Sequence, residues 1–256
     1  MYLVVDIGNT NIVFALLDKS LVEKKWRIST DIKRTSDEYF IWLSTIIKDV
    51  SNIKAVIIGS VVPEATEEIK KSCYNYLKKK VYVINEDIKI NFPIKVENKK
   101  EVGTDRLVNS LAAWSLYKEA TIIIDFGTAT TFDVVDKSGA YVGGIICPGI
   151  NLSLQTLHSA AARLPRIAVI KPKQVIGKST VQAMSSGIYF GYIGLINHII
   201  NLTTLELKYK TKIILTGGLA DLFSENLGIN NVIRKNLTIE GLYLAYKQHK
   251  VNESDK

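Results

Sequence analysis

The sequence predicts a duplicated α/β fold, in which two similar halves each carry a mixed β-sheet. A short motif repeats along the 256-residue chain: residues 5–8 read VDIG, and residues 124–127 read IDFG 119 positions later. The triplet DKS also occurs twice, at residues 18–20 and 136–138. Each copy of the first motif ends a short apolar run in a glycine-containing turn. The repeat therefore indicates two related strand–turn–strand units with a cleft between them.

The first half, residues 1–116, is predicted to hold three consecutive strands and then strands that alternate with helices. Thr35 and Glu38 have the spacing of a capping box ahead of the first helix. Pro63 suits the first turn of the second helix, where its missing N–H costs nothing. Short β-branched runs that end in turn residues indicate the strands, at residues 2–6, 12–17, 26–29, 55–58 and 81–84.

The second half, residues 117–256, repeats this pattern. Residues 126–131 (FGTATT) form the turn after its first strand, and a long helix is expected at about residues 180–207. A last helix, at about residues 237–250, can pack back against the first half. The strands of this half are predicted at residues 121–125, 132–135, 141–147 and 212–215.

Composition excludes several classes of protein. Hydrophobic residues make up 47% and charged residues 23%, which is ordinary globular usage and excludes general disorder. Two cysteines without a CxxC motif favour a reducing compartment, and the N-terminus lacks the basic region of a signal peptide. Polar residues interrupt the apolar run 179–205, which makes it a poor membrane span. The net charge of +8 favours an anionic ligand, but the short lysine runs carry no nucleic-acid motif.

The two glycine turns are candidate phosphate-binding sites. Gly8 and Gly127 allow close backbone approach, and small polar side chains follow them as further donors, namely Asn9, Thr10, Asn11, Thr128, Thr130 and Thr131. Asp6 and Asp125 end the preceding strands, where carboxylates beside phosphates would require a cation between them. Alternatively, each aspartate only caps its own turn. A late Thr-Gly-Gly at residues 216–218 follows another strand and favours the phosphate interpretation.

A second candidate site is the sequence Gly-Thr-Asp-Arg at residues 103–106, directly before residues at helical spacing. Thr104 suits the N-cap, which places Asp105 and Arg106 in the first turn. The helix dipole and the guanidinium favour an ionised carboxylate, which can accept a hydroxyl proton. Arginine can bind a carboxylate or a phosphate through two hydrogen bonds. The alternative is an aspartate that only stabilises its helix.

These segments together resemble the type III pantothenate kinases. The resemblance covers residues 1 to about 246, and its ordered set of motifs is highly specific although each motif alone is weak. It implies the actin-like, sugar-kinase-like (ribonuclease H-like) duplicated fold with an ATP cleft between the halves. The motifs are DIGNTN at 6–11, GTDR at 103–106, DFGTATT at 125–131, GGIICPG at 143–149, GKST at 177–180, SG at 186–187 and TGG at 216–218.

The resemblance implies ATP-dependent phosphorylation of the pantothenate 4′-hydroxyl, the first step of coenzyme A synthesis, by a cytoplasmic homodimer. Asp105 would be the base, and Asp125 would bind a monovalent cation, potassium or ammonium, while Mg²⁺ accompanies ATP. Thr180 would reach the pantothenate site of the partner subunit. Pantothenate would also contact Gly103, Thr104, Asp105 and Arg106. ATP would contact Asp6, Ile7, Gly8, Asn9, Thr10, Asn11, Ile12, Val13 and Thr128.

The chain departs from the family pattern near the substrate segment. Val96 stands where the family usually has an aromatic residue, and Asn98-Lys99 replaces the usual Asn-Pro. Thr104 replaces a common alanine. These changes concern pantothenate binding rather than phosphoryl transfer. Two other functions stay open at this stage: a phosphatase or NTPase of the same fold, and a nucleotide-binding regulator with weakened catalysis. Neither nucleic acid nor a membrane is expected as a partner.

Overall fold

The computed structural model describes residues 1–160 and 164–254 of the chain. The chain divides into two compact units. The first comprises Met1–Ser115 together with the C-terminal segment from Asn236, and the second comprises Leu116–Lys235. Each unit holds one five-stranded sheet with both parallel and antiparallel pairs, which confirms the predicted mixed sheets.

The first unit begins with three antiparallel strands and continues with strands that alternate with helices. Its strands are β1 (Tyr2–Ile7), β2 (Asn11–Asp18), β3 (Leu21–Ser29), β4 (Val56–Ser60) and β5 (Val81–Val83). Its helices are α1 (Ser36–Ile46), α2 (Pro63–Asn75), a short 3-10 turn (Lys99–Glu101), α3 (Thr104–Tyr117) and the C-terminal helix α7 (Leu237–Ser254). β3 begins at Leu21 rather than at the predicted Trp26, because this edge strand is mostly exposed and its charged residues hide the β pattern.

The capping residues behave as the sequence predicts at α1 and α2, but not at α3. Thr35 and Glu38 form both bonds of the capping box, and Pro63 is the first residue of α2. Thr104 is the first residue of α3 rather than its N-cap, so that prediction is wrong by one position. The Leu107 N–H donates to the Gly103 carbonyl at 3.2 Å, which places Gly103 at the start of the helix.

The sheet of the first unit has the strand order β3-β2-β1-β4-β5. β1 pairs antiparallel with β2 and parallel with β4, and β4 pairs parallel with β5. The β1–β2 turn therefore lies at the edge of the sheet where β1, β4 and β5 all end. This is the edge at which open α/β sheets bind their ligands.

The second unit repeats this arrangement with the strand order β10-β9-β6-β7-β8. β6 pairs antiparallel with β7 and parallel with β9, as β1 does with β2 and β4. Its strands are β6 (Thr121–Phe126), β7 (Ala129–Val135), β8 (Tyr141–Pro148), β9 (Lys212–Gly217) and β10 (Asn231–Ile233). Its helices are α4 (Ile150–Ala160), α5 (Thr180–Leu207) and α6 (Ala220–Ser224).

Each unit has its own apolar core. In the first unit, β1, β2 and β4 bury one face against α1 and α2. α7 packs on β1 and β4, where the Leu242 side chain fills the space left by the missing side chain of Gly59. In the second unit, Phe223 of α6 stacks between Phe126 and Tyr189, at ring-centroid distances of 5.4 and 5.3 Å. These cores place the two β-hairpin turns at the ends of buried, well-packed strands.

Gly241→Val in α7 should destabilise the first unit. A Cβ at residue 241 would lie 2.1 Å from the carbonyl oxygen of Val108 in α3, so the two helices would have to separate. Overpacking of this kind costs about 1–3 kcal/mol, which denaturant unfolding measures. The control is Asn252→Ala at an exposed position of α7, which should change the unfolding free energy by less than about 0.5 kcal/mol. Equal stability of the two variants would contradict the close approach of α7 to α3.

Candidate active site

The first turn, residues 8–10, joins β1 to β2. The Gly8 N–H donates to the Asn11 carbonyl at 3.0 Å and closes the hairpin. Thr30, just after β3, holds the turn at two further points. Its hydroxyl donates to the Gly8 carbonyl at 2.6 Å, and its N–H donates to the Thr10 carbonyl at 3.0 Å. Sequence analysis did not single out Thr30, because nothing local links a strand-end threonine to a turn 22 residues earlier.

The predicted ATP segment, residues 6–13, contains exposed, buried and partly exposed residues. Asn9 and Thr10 are exposed, and their polar groups are accessible to a ligand. Ile7 and Ile12 bury their side chains in the core, so only their backbone groups can contact a nucleotide. The other members of the segment are partly exposed, namely Asp6, Gly8, Asn11 and Val13.

The second turn, residues 127–128, joins β6 to β7 and is closed by a bond from the Gly127 N–H to the Ala129 carbonyl at 3.1 Å. Gly149, directly before α4, packs against this turn. A Cβ at Gly149 would lie 1.9 Å from the Thr128 carbonyl oxygen, so no larger residue fits there. The start of α4 therefore supports the turn from behind, while Thr128 itself is exposed.

Asp125 is the next-to-last residue of β6 and lies beside the last residues of β9. In the parallel register it lies opposite Thr216, and its Oδ1 would be 2.5 Å from a Cβ at Gly217. Gly217 also has a φ of +87°, which side chains rarely adopt. The glycine thus lets a half-buried carboxylate approach the end of β9 at the ligand edge of the sheet. Carboxylate oxygens suit hard cations, so this donor fits the predicted monovalent ion.

The two predicted threonine donors after the second turn, Thr130 and Thr131, are neighbours in β7, so their side chains lie on opposite faces of the sheet. Thr131 lies opposite Asp125 and is half-buried. Its hydroxyl donates to Asp133 at 3.4 Å, and the fully buried Asp133 also accepts from the Tyr141 hydroxyl at 3.1 Å. Thr130 is fully buried on the opposite face, so its prediction as a turn donor is wrong. Sequence analysis did not identify Asp133, although a charged residue within an apolar strand can indicate a buried polar site.

The substrate segment begins α3, where Asp105 bends back over Gly103. A Cβ at Gly103 would lie 2.5 Å from Asp105 Oδ1, so the glycine provides the space in which the carboxylate sits. Asp105 and Arg106 are both partly exposed, as a contact with substrate requires. Thr104 is buried, and its hydroxyl accepts from Asn85 Nδ2 at 2.7 Å. Asn85 follows β5, so this bond fixes the start of α3 to the ligand edge of the sheet.

The departures from the family pattern are accommodated without strain. Asn98 caps the short 3-10 turn by accepting from the Lys100 N–H at 3.2 Å. Lys99 is the first residue of that turn, the position where a proline would also fit. Val96 is half-buried.

The segment before α5 folds back on the first turn of that helix. A Cβ at Gly177 would lie 2.3 Å from the Ala183 nitrogen, and the Lys178 N–H donates to Gln182 Oε1 at 2.8 Å. Ser179 is the N-cap, because its hydroxyl accepts from the Gln182 N–H at 3.3 Å. Thr180 is the exposed first residue of α5 and is not needed as a cap.

Neither cysteine is suited to act as a nucleophile. Burial raises the pKa of the Cys73 thiol to about 12, and burial also raises the pKa of Cys147. Both thiols are therefore protonated near neutral pH. The chemistry of the site is left to oxygen and nitrogen groups.

Two glycine turns at the ligand edges of two related mixed sheets, each preceded by an aspartate, are the arrangement expected of a kinase of the actin-like and sugar-kinase-like class. A family model described as type III pantothenate kinase matches residues 2–202. A type III pantothenate kinase of Acidiphilium cryptum is 48% identical over 249 residues, which are 95% of this chain and 93% of that protein. Another, from Paramagnetospirillum magneticum, is 46% identical over 97% of this chain and 98% of that protein. The chain belongs to the type III pantothenate kinases.

Solved structures confirm the predicted fold class. A Baf family protein from Campylobacter jejuni superposes with a TM-score of 0.61 at 20% identity, over 97% of this chain and 98% of that one. An activator of 2-hydroxyisocaproyl-CoA dehydratase from Clostridium difficile, with bound ADPNP, gives a TM-score of 0.56 at 12% identity. It is matched over 97% of its own length and covers 100% of this chain. At these identities the similarity concerns the fold alone.

Proposed function

We propose that this chain transfers the γ-phosphoryl group of ATP to the 4′-hydroxyl of pantothenate, the first step of coenzyme A synthesis. The observation that carries the proposal is the arrangement at the start of α3. There, Gly103 makes room for the Asp105 carboxylate beside Arg106. This segment lies within the residues matched by the family model.

ATP is assigned to residues 6–13, and the family resemblance assigns Thr128 to ATP as well. Backbone N–H groups of glycine turns and small polar side chains suit phosphate oxygens. Mg²⁺ accompanies the nucleotide, where it would neutralise charge on the phosphates. Ile7 and Ile12 take part only through their backbones, since their side chains are in the core.

Pantothenate is assigned to Gly103, Thr104, Asp105 and Arg106. Its hydroxyl oxygen bonds to the γ-phosphorus while the bond from that phosphorus to the bridging oxygen breaks and ADP leaves. Asp105 orients the hydroxyl and accepts its proton, a contribution typically of ~10²–10⁴-fold in rate. Arg106 is the candidate partner for the pantothenate carboxylate, because a guanidinium binds carboxylates through two parallel bonds.

The monovalent cation, potassium or ammonium, is assigned to Asp125. The carboxylate can approach the end of β9 closely because residue 217 is glycine. When bound there, the ion would add positive charge near the phosphates. Its contribution is electrostatic, as expected for a reaction that depends on positioning and charge neutralisation.

A second copy of the chain is assigned to the exposed face of α5. By length and composition alone, this helix could cross a membrane. Only 22% of its most apolar 18-residue window is buried, so much of its surface is available to a partner. Polar residues such as Gln182 and Asn197 interrupt it, which favours a subunit contact in a cytoplasmic enzyme. The exposed Thr180 would then contact pantothenate in the neighbouring subunit. Exposed apolar residues along α5 are Val181, Leu202 and Leu205.

Asp105→Asn should keep ATP binding and lose most turnover, because the amide cannot accept the hydroxyl proton. Coupled ADP formation, measured with and without pantothenate, tests both the residue and the function. Wild-type protein should form ADP only when pantothenate is present, and the variant should be slower by ~10²-fold or more. Asp37→Asn, in the first turn of α1, is the matched control and should stay fully active. ADP formation without pantothenate would instead indicate a phosphatase, and turnover of Asp105→Asn within about threefold of wild type would exclude Asp105 as base.

Asp125→Ala should raise the potassium concentration needed for half-maximal activity, or abolish activity. The reason is the loss of the carboxylate that lies close to Gly217. Potassium titrations of the wild type and the variant measure this, and Asp221→Ala at an exposed site of the same unit is the control. If the potassium dependence of Asp125→Ala equals that of the wild type, the cation assignment is wrong.

The protein should be a dimer by light scattering, with active sites built from both chains. Thr180→Ala should raise KM for pantothenate and leave KM for ATP almost unchanged, since Ser179 keeps the cap intact.

Mixing Thr180→Ala with Asp105→Asn subunits should restore activity, because some mixed dimers contain one site free of both changes. A fully active monomer, or exchanging subunits without recovery, would contradict the shared site.

A further inference from the structure

Thr30 holds the first turn from outside at two points. Its hydroxyl donates to the Gly8 carbonyl at 2.6 Å, and its backbone N–H donates to the Thr10 carbonyl at 3.0 Å. Two carbonyls of the turn, those of Gly8 and Thr10, thus face the end of β3. Thr30 is half-buried, so water competes weakly for the hydroxyl bond.

The direction of the Gly8 carbonyl determines what the turn presents to a ligand. In a trans peptide the C=O and the following N–H point in opposite directions. Because the Gly8 oxygen faces Thr30, the N–H of Asn9 in the same peptide points away from Thr30. A rotated peptide would present the oxygen instead, which repels phosphate oxygens. Glycine permits this rotation more easily than any other residue.

We propose that Thr30 is a positioning residue for nucleotide phosphate: its hydroxyl holds the Gly8–Asn9 peptide so that an N–H, and not a carbonyl, faces the ligand. The proposal rests on the assignment of ATP to residues 6–13. Thr30 is not placed in contact with ATP and acts through Gly8. Its effect should therefore appear in ATP affinity and not in pantothenate affinity.

A hydrogen-bonded turn follows Thr30 directly. Asp31 follows it and forms an Asx turn, in which Oδ1 accepts from the Lys33 N–H at 2.9 Å. The Arg34 N–H donates to the Asp31 carbonyl at 3.2 Å, and the capping box of Thr35 begins α1 directly afterwards. Thr30 thus lies between the end of β3 and a hydrogen-bonded turn, which together define its position relative to Gly8.

Thr30→Val tests the proposal, because valine keeps the shape of the side chain and the backbone bond to Thr10 but removes the hydroxyl. Isothermal titration with ATP and Mg²⁺ should show affinity about tenfold weaker, as expected for one lost bond to a partly buried carbonyl. KM for ATP should rise similarly, and KM for pantothenate should stay unchanged. Thr30→Ser restores a hydroxyl and should recover most of the affinity.

Thr45→Val is the matched control, since it removes a hydroxyl bond to a carbonyl, 2.9 Å long, on an exposed face of α1. It should leave ATP affinity unchanged. Thermal unfolding of every variant separates folding defects from positioning, and Thr30→Ala serves if Thr30→Val is unstable. Unchanged ATP affinity in folded Thr30→Val, or equal rises in both KM values, would overturn the proposal. If the wild type binds ATP but does not phosphorylate pantothenate, the proposed function fails while the titration still decides the role of Thr30.

Discussion

The pairing of the first strand in each unit is the constraint on which the candidate site depends. β1 is antiparallel to β2 and parallel to β4, and β6 has the same relation to β7 and β9. An antiparallel partner places a tight turn at the end of the strand, and a parallel partner ends at the same edge. The turn N–H groups and the strand-end carboxylate therefore share the edge where α/β sheets bind ligands.

Glycines at this edge let backbone and carboxylates approach where side chains would collide. Gly149 packs against the second turn, Gly217 leaves space for Asp125, and Gly103 leaves space for Asp105. A Cβ would lie 2.5 Å or less from its nearest neighbour at each position. The polar groups are thus positioned by packing of the surrounding chain rather than by flexible side chains, which is how preorganised charge stabilisation is obtained.

Local signals in the sequence predict most of the fold. The features that were predicted wrongly or not at all depend on contacts between residues far apart in the chain. The repeated motif and the capping box of Thr35 are local and are confirmed, as is the start of α5 at Thr180. The start of β3 was predicted too late, and Thr130 was predicted as a donor at the turn although it is buried. Both predictions were wrong because edge exposure and strand alternation depend on neighbours in the sheet. Within the site, Thr30 and Asn85 act on residues 22 and 19 positions away, which no local pattern reveals.

Phosphorus NMR of the wild-type protein with ATP, Mg²⁺, potassium and pantothenate tests the central claim most directly, since it identifies where the transferred phosphate goes. The account predicts a new phosphomonoester signal on pantothenate that grows in step with ADP, while inorganic phosphate stays at its background level. Growth of ADP together with inorganic phosphate, and no phosphomonoester of pantothenate, would contradict it.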